Sequence, residues 1–263
     1  MALYCLGMLQ AHSLLWHYLW VAPSVLLLML GFGLWRLRVH RQHPFFLAFV
    51  LASAVEQLTL YVLDITPSVE PETWWRFFWA GLILEGILKF ALLAEVFAHA
   101  FRPYPAIATL GKRLIGMVGV VLIFASSMAA AFAPLDSLFG IVSGAHLLQQ
   151  TIYIIECGIL VSMFGFSLYF RIGMPSADRG IALGLSLSAC VHLATWALVA
   201  NTSLPDDSRV VLDFINMAIF HFCVLMWIYY LLVPRRASEM TAVIALPENN
   251  LALWNRELER LLQ

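Results

Sequence analysis

The sequence predicts an all-α integral membrane protein, a bundle of seven transmembrane helices. Three observations carry that prediction: an apolar composition, seven long apolar runs, and basic residues gathered in alternate breaks between them. Hydrophobic residues make up 62% of the chain and charged ones only 12%, with a mean hydropathy of +0.86. Soluble domains carry roughly 25% charged residues, so the solvent of this chain is expected to be lipid. No basic block or zinc-ligand spacing points to nucleic acid.

The first run, 14–35, has no Lys or Arg before Arg36. It therefore lacks the positive start of a cleavable signal peptide and reads as a first helix with its N-terminus outside. The second, 45–65, lies between the breaks R-L-R-V-H-R-Q-H-P and T-P-S-V-E-P-E-T. The third, 74–101, ends at R-P-Y-P, and the fourth, 114–133, starts after G-K-R and ends at P-L-D-S. The fifth, 138–170, is followed by R-I-G-M-P-S-A-D-R, the sixth, 180–200, by N-T-S-L-P-D-D-S-R, and the seventh is 210–233. Barrel strands need about ten alternating residues, so runs of this length suit helices only.

Orientation follows from charge. Arg36, Arg38, Arg41, Arg102, Lys112, Arg113, Arg171, Arg179, Arg235, Arg236, Arg256 and Arg260 all fall in the breaks after spans one, three and five or in the tail. That is twelve of the 15 Lys and Arg residues, and it places the C-terminus in the cytoplasm. Aromatic belts agree, with Trp16, Tyr18, Trp20, Trp74 and Trp75 at the outer boundary and Trp35, Tyr104, Tyr229 and Tyr230 at the inner one. Residues 1–236 thus form the transmembrane domain and 237–263 a cytoplasmic tail. Within the tail, 249–263 is expected to form a short amphipathic helix with Leu251, Trp254, Leu258, Leu261 and Leu262 on one face. Its Arg256 and Arg260 balance Glu257 and Glu259, which suits a cytoplasmic or membrane protein partner better than anionic lipid, while docking against its own bundle or the membrane interface fits equally well.

An ionisable group near the bilayer centre costs about 2.5–3.5 kcal/mol on insertion scales, so each needs a partner or a purpose. Counting from the basic ends places Glu56, Lys89, His192 and His221 near mid-membrane. Glu85, Gln149, Gln150, Glu156 and Asn216 fall in the outer half, and Glu95 and His99 towards the cytoplasm. Glu85 and Lys89 are four residues apart with the acid first, the favourable order for a pair within one helix. Lys89 is also placed to face an anionic ligand, Glu56 or Glu156. Acids outnumber this single buried Lys, so some must be neutral or bonded to His or Gln.

In span five His146, Gln149, Gln150, Tyr153 and Glu156 share one helical face, which must look into the bundle rather than at lipid. Hydrogen-bonded helix glue and the wall of a hydrated cavity both account for such a stripe. Candidate ligand-binding or proton-relay residues are Glu56, Glu85, Lys89, Gln149, Gln150, Tyr153, Glu156, His192 and His221. No catalytic residue is indicated, because paired aspartates, H-E-x-x-H and G-x-S-x-G are all missing from the sequence. No cofactor or metal is expected: lone membrane histidines are more often hydrogen-bonded core residues than haem ligands, and the last span has no Lys for retinal. The four cysteines show no C-x-x-C pair and no disulfide framework.

The segments Glu95-Val-Phe…Phe101-Arg-Pro-Tyr104 with Leu110-Gly111, Gly180-Ile-Ala-Leu-Gly184, and Val224-Leu-Met-Trp-Ile-Tyr-Tyr-Leu-Leu-Val-Pro234 resemble a group of bacterial seven-helix membrane proteins of no established function. The resemblance covers most of 14–235. It implies a bacterial inner membrane and transfers no site. Marks of G-protein-coupled receptors are missing, since span three ends in A-H-A-F-R-P-Y and span seven lacks N-P-x-x-Y. Three functional readings fit: a receptor-like or sensor-like bundle with an outward polar cavity, a proton-linked transporter or ion pathway, and a structural or assembly subunit. A repeat of the transporter type finds no support, because the polar residues of spans two and six, or three and seven, do not correspond.

Overall fold

A computed structural model of the chain describes residues 12–131, 138–169, 173–201 and 206–233, together with Arg256, Glu259 and Arg260. Among these the fold is all-helical, with seven helices long and apolar enough to cross a membrane. They are α1 (Leu14–Arg36), α2 (Pro44–Ile65), α3 (Pro71–Ala100), α4 (Pro105–Ala131), α5 (Leu138–Tyr169), α6 (Ser176–Asn201) and α7 (Asp206–Leu232). The amphipathic helix expected over 249–263 lies outside the described residues except at Arg256, Glu259 and Arg260, which are helical.

Local chemistry sets the helix starts. Ser13 caps α1 by accepting the Trp16 amide at 3.3 Å. Pro44, Pro71 and Pro105 stand at the heads of α2, α3 and α4, where a missing N–H costs nothing and φ is already helical. Pro105 explains why α4 starts ahead of the apolar stretch at 114. Lys112 and Arg113 are good helix formers, and hydropathy marks the edge of the lipid slab rather than the end of a helix. Arg38, in the left-handed conformation at φ 58°, turns the chain between α1 and α2.

Six helices close a ring. In order of contact they are α1, α2, α3, α5, α6 and α7, with α7 packed back on α1. α4 stands outside this ring against α3, with a small contact on α5. Outward faces carry exposed apolar side chains such as Phe32, Val55, Val120, Phe124, Val161 and Leu168. In water so much apolar surface would drive association, and lipid removes that cost.

The core fills the half of the ring nearest the Arg-rich ends. Phe46, Phe49, Leu30, Leu34, Leu92, Leu160, Met163 and Trp227 are buried there. Trp227 meets Phe46 and Phe49 edge-to-face at centroid distances of 5.5 and 6.0 Å. It reaches this position because Gly184 on α6 has no side chain; a Cβ there would run into the Trp227 indole. Small residues let helices approach in this way. Gly116 on α4, by contrast, has nothing within 4 Å of where its Cβ would lie.

Gly184→Val is therefore expected to destabilise the purified protein by about 1–3 kcal/mol through overpacking. Gly116→Val should leave its thermal midpoint in detergent near that of the parent. Equal midpoints for the two variants would contradict this packing.

Candidate functional site

The half of the ring away from the Arg-rich ends is not filled. Between the six helices lies a cavity of about 340 Å³, lined by residues from each of them and by none of the described side chains of α4. Tryptophans from the first turns of α1 and α3 (Trp16, Trp20, Trp74) and the exposed Asp213 of α7 form its upper wall. Its lower wall reaches Phe49, Leu185 and Trp227, the top of the packed core. Such a volume falls in the range of small-molecule sites, about 300–1,000 Å³.

The charged wall is built from α2, α3 and α5. Lys89 Nζ lies 3.1 Å from Glu85 Oε1 on its own helix and 3.3 Å from Glu156 Oε2 on α5. The ammonium also sits 4.2 Å from the centroid of the Tyr153 ring, a cation–π contact. Lys89 is 5% exposed and Glu156 only 1%, so both have lost most of their hydration. At 3.3 Å two unit charges attract by about 5 kcal/mol at an effective dielectric of about 20. Burying them costs several kcal/mol per ion, so the pair is close to break-even and neither member is tolerable alone.

Glu56 approaches the same wall from α2. Gly81 of α3 makes room for it, since a Cβ there would collide with the Glu56 carboxylate. Neither Glu56 nor Asp213 forms an ion pair among the described residues, although both line the cavity. The wall thus holds four carboxyl groups (Glu56, Glu85, Glu156, Asp213) and one ammonium.

Several buried polar atoms on the lining residues have no hydrogen-bond partner among the described residues. They are the indole nitrogens of Trp16 and Trp20, the Ser53 hydroxyl and Oε1 of Glu156. Buried polar groups are nearly always satisfied, so these atoms mark the wall as polar as well as aromatic. Pro23 adds another acceptor, because it has no N–H to offer the Leu19 carbonyl and both residues line the space. Opposite, Asn216 Nδ2 donates to Thr195 Oγ1 at 3.1 Å, and the Tyr153 and His192 rings lie 4.3 Å apart.

Of the candidates named from sequence, Glu56, Glu85, Lys89, Gln149, Tyr153, Glu156 and His192 line this one cavity. Gln150 and His221 do not; His221 lies between α7 and α1, its ring 5.8 Å from Tyr18. The His146 side chain lies outside the described residues. The aromatic wall is what sequence reasoning missed. Trp16, Trp20 and Trp74 fit a boundary belt, yet the four-residue spacing of Trp16 and Trp20 also puts both on one inward face. Compared with protein-family models, with curated proteins and with solved structures, the chain matches none.

The Lys89–Glu156 pair makes a specific energetic prediction. Lys89→Met leaves Glu156 buried without its counter-charge and should cost about 3–5 kcal/mol, whereas Lys89→Met with Glu156→Leu should recover most of that loss. Equilibrium unfolding in mixed micelles measures the cycle. Losses that simply add would show that the two charges do not depend on each other.

Proposed function

We propose that this protein is a receptor-like or sensor-like membrane bundle whose cavity binds a small organic cation, an ammonium group carried on an apolar body. The observation that carries this reading is the excess of carboxylates over ammonium in an aromatic-walled cavity. Lys89 is already bracketed by Glu85 and Glu156, so it is not free to take an anion. Glu56 and Asp213 have no such partner among the described residues, and a bound cation would stabilise their ionised forms. Indole rings in the wall favour the same class of ligand, since ring quadrupoles attract desolvated ammonium groups by about 2 kcal/mol.

On this proposal the cavity faces the outside, because it lies in the half of the bundle opposite the Arg-rich ends. The membrane would be a bacterial inner membrane, as the sequence resemblance implies. Any output would pass to a separate protein at the cytoplasmic side, where the tail offers a contact. A second reading, a proton-linked transporter, draws support from the contiguity of Glu56, Glu85, Lys89 and Glu156. It requires the carboxylates to exchange protons with both sides of the membrane.

A thermal-shift panel of primary and quaternary amines, with carboxylates of matched size, tests the ligand class. A binding amine at 100 times its Kd should add about 2.7 kcal/mol to stability. Glu56→Gln should weaken that amine about tenfold or more, the loss of one charge-assisted contact. Stabilisation by the carboxylates and not the amines would sink the proposal. Uptake of the amine into proteoliposomes, collapsing when the pH gradient is removed, would move the protein to the transporter class.

A further inference from the structure

At the opposite end of the ring, α3 meets α6 directly through His99 and Asp178. There the residue before α2 (His43), the last turn of α3 (His99) and the first turn of α6 (Asp178) meet. Asp178 Oδ1 lies 3.1 Å from His99 Nδ1 and 3.6 Å from His43 Nδ1. One donor atom from each of the three residues can be chosen so that all lie within 4.8 Å of one another. His43 and Asp178 are nearly inaccessible, with side chains 4% and 3% exposed, while His99 is 34% exposed.

We propose that this junction is a binding site for a divalent transition-metal ion, zinc by the character of its donors, ligated by His43, His99 and Asp178. Two imidazoles and a carboxylate form a donor set that zinc and its neighbours favour over calcium or magnesium. With bonds of about 2.0–2.1 Å, a tetrahedral ion needs ligand atoms about 3.3 Å apart. The observed separations of 3.1 and 3.6 Å bracket that value. The imidazoles cross at 84° with centroids 5.0 Å apart, so they do not stack and their nitrogens can point to a common centre.

A hydrogen-bonded helix tie accounts for His99 and Asp178 but not for the rest of the cluster. His43 Nδ1 is buried with no hydrogen-bond partner among the described residues, and 3.6 Å to Asp178 is too long for one. Glu95, one helical turn before His99 on α3, also has a buried oxygen, Oε2, without a hydrogen-bond partner among the described residues. Its carboxyl group rests against the backbone N–H groups of Phe45 and Phe46 at the head of α2. An ion at the junction gives His43 a partner, and Glu95, whose carboxyl group feels both His99 and Asp178, lies behind the ligands where it can hold a metal-bound water. The part-exposed edge of His99 gives an ion a way in from the Arg-rich face.

The full chain, purified in detergent, stripped with EDTA and reloaded with Zn²⁺ or Co²⁺, tests the site. About one equivalent of zinc should survive gel filtration, and cobalt should give the visible absorption of a low-coordinate N,O site that zinc then bleaches. His43→Ala and His99→Ala should each weaken zinc about a hundredfold or more, and Glu95→Gln about tenfold. Parent protein that retains no zinc and gives no cobalt bands overturns the proposal, whether or not the variants fold. So does a folded His43→Ala/His99→Ala double variant that takes up zinc like the parent.

Discussion

A buried ammonium that no lipid can solvate constrains the rest of this bundle. Lys89 reaches Glu85 along its own helix, and that contact needs no tertiary structure. Glu156 is different, because it comes from α5 and can meet Lys89 only when α3 and α5 pack at one height and one rotation. A carboxylate 1% exposed has no alternative partner in water, so this contact fixes the register of the two helices. Once Glu156 points at α3, Tyr153 and Gln149 on the same face follow it into the ring. The position of Glu56 follows in turn, from the absence of a side chain at Gly81.

The fold was legible in the sequence for a simple reason. Lipid admits few backbone solutions, so apolar length and the alternation of basic breaks identify seven helices without any knowledge of their contacts. The site was legible in depth but not in rotation. Gln149 and Gln150 are adjacent, and a step of 100° separates them; one lines the cavity and the other does not. His221 has the right depth and the wrong azimuth, facing Tyr18 on α1. The polar stripe of span five succeeded where single residues failed because several positions at helical spacing average out that ambiguity. His43 and Asp178 escaped notice since both sit at helix ends, where polar residues are ordinary.

The two halves of the ring solve opposite problems with the same six helices. Near the Arg-rich ends, glycines at 180 and 184 let Tyr230 and Trp227 press against α6, and large side chains fill the interior. In the other half the helices part far enough for tryptophans to line a space without filling it. Trp227 marks the change, since it belongs to the packed core and also lines the cavity. Its indole nitrogen faces the Ile181 carbonyl at 3.4 Å, so its polar atom is turned to α6 and its ring faces serve as floor.

Three helices carry polar groups at both levels. α3 presents Glu85 and Lys89 to the cavity and Glu95 and His99 to the junction below. α6 contributes His192 above and Asp178 below, while α2 contributes Glu56 above and follows directly on His43. Lys89 and His99 are ten residues apart on one unbroken helix, about 15 Å along its axis. An α-helix transmits axial displacement with little loss over that length. Any sliding of α3 against α5 and α6 therefore stretches the Lys89–Glu156 and His99–Asp178 contacts together. Small shifts at packed interfaces are not absorbed gradually, since close-packed side chains have discrete arrangements. On the proposed reading, an occupant that drew Glu56 or Glu156 away from α3 would act on the same helix that holds His99 at the far end.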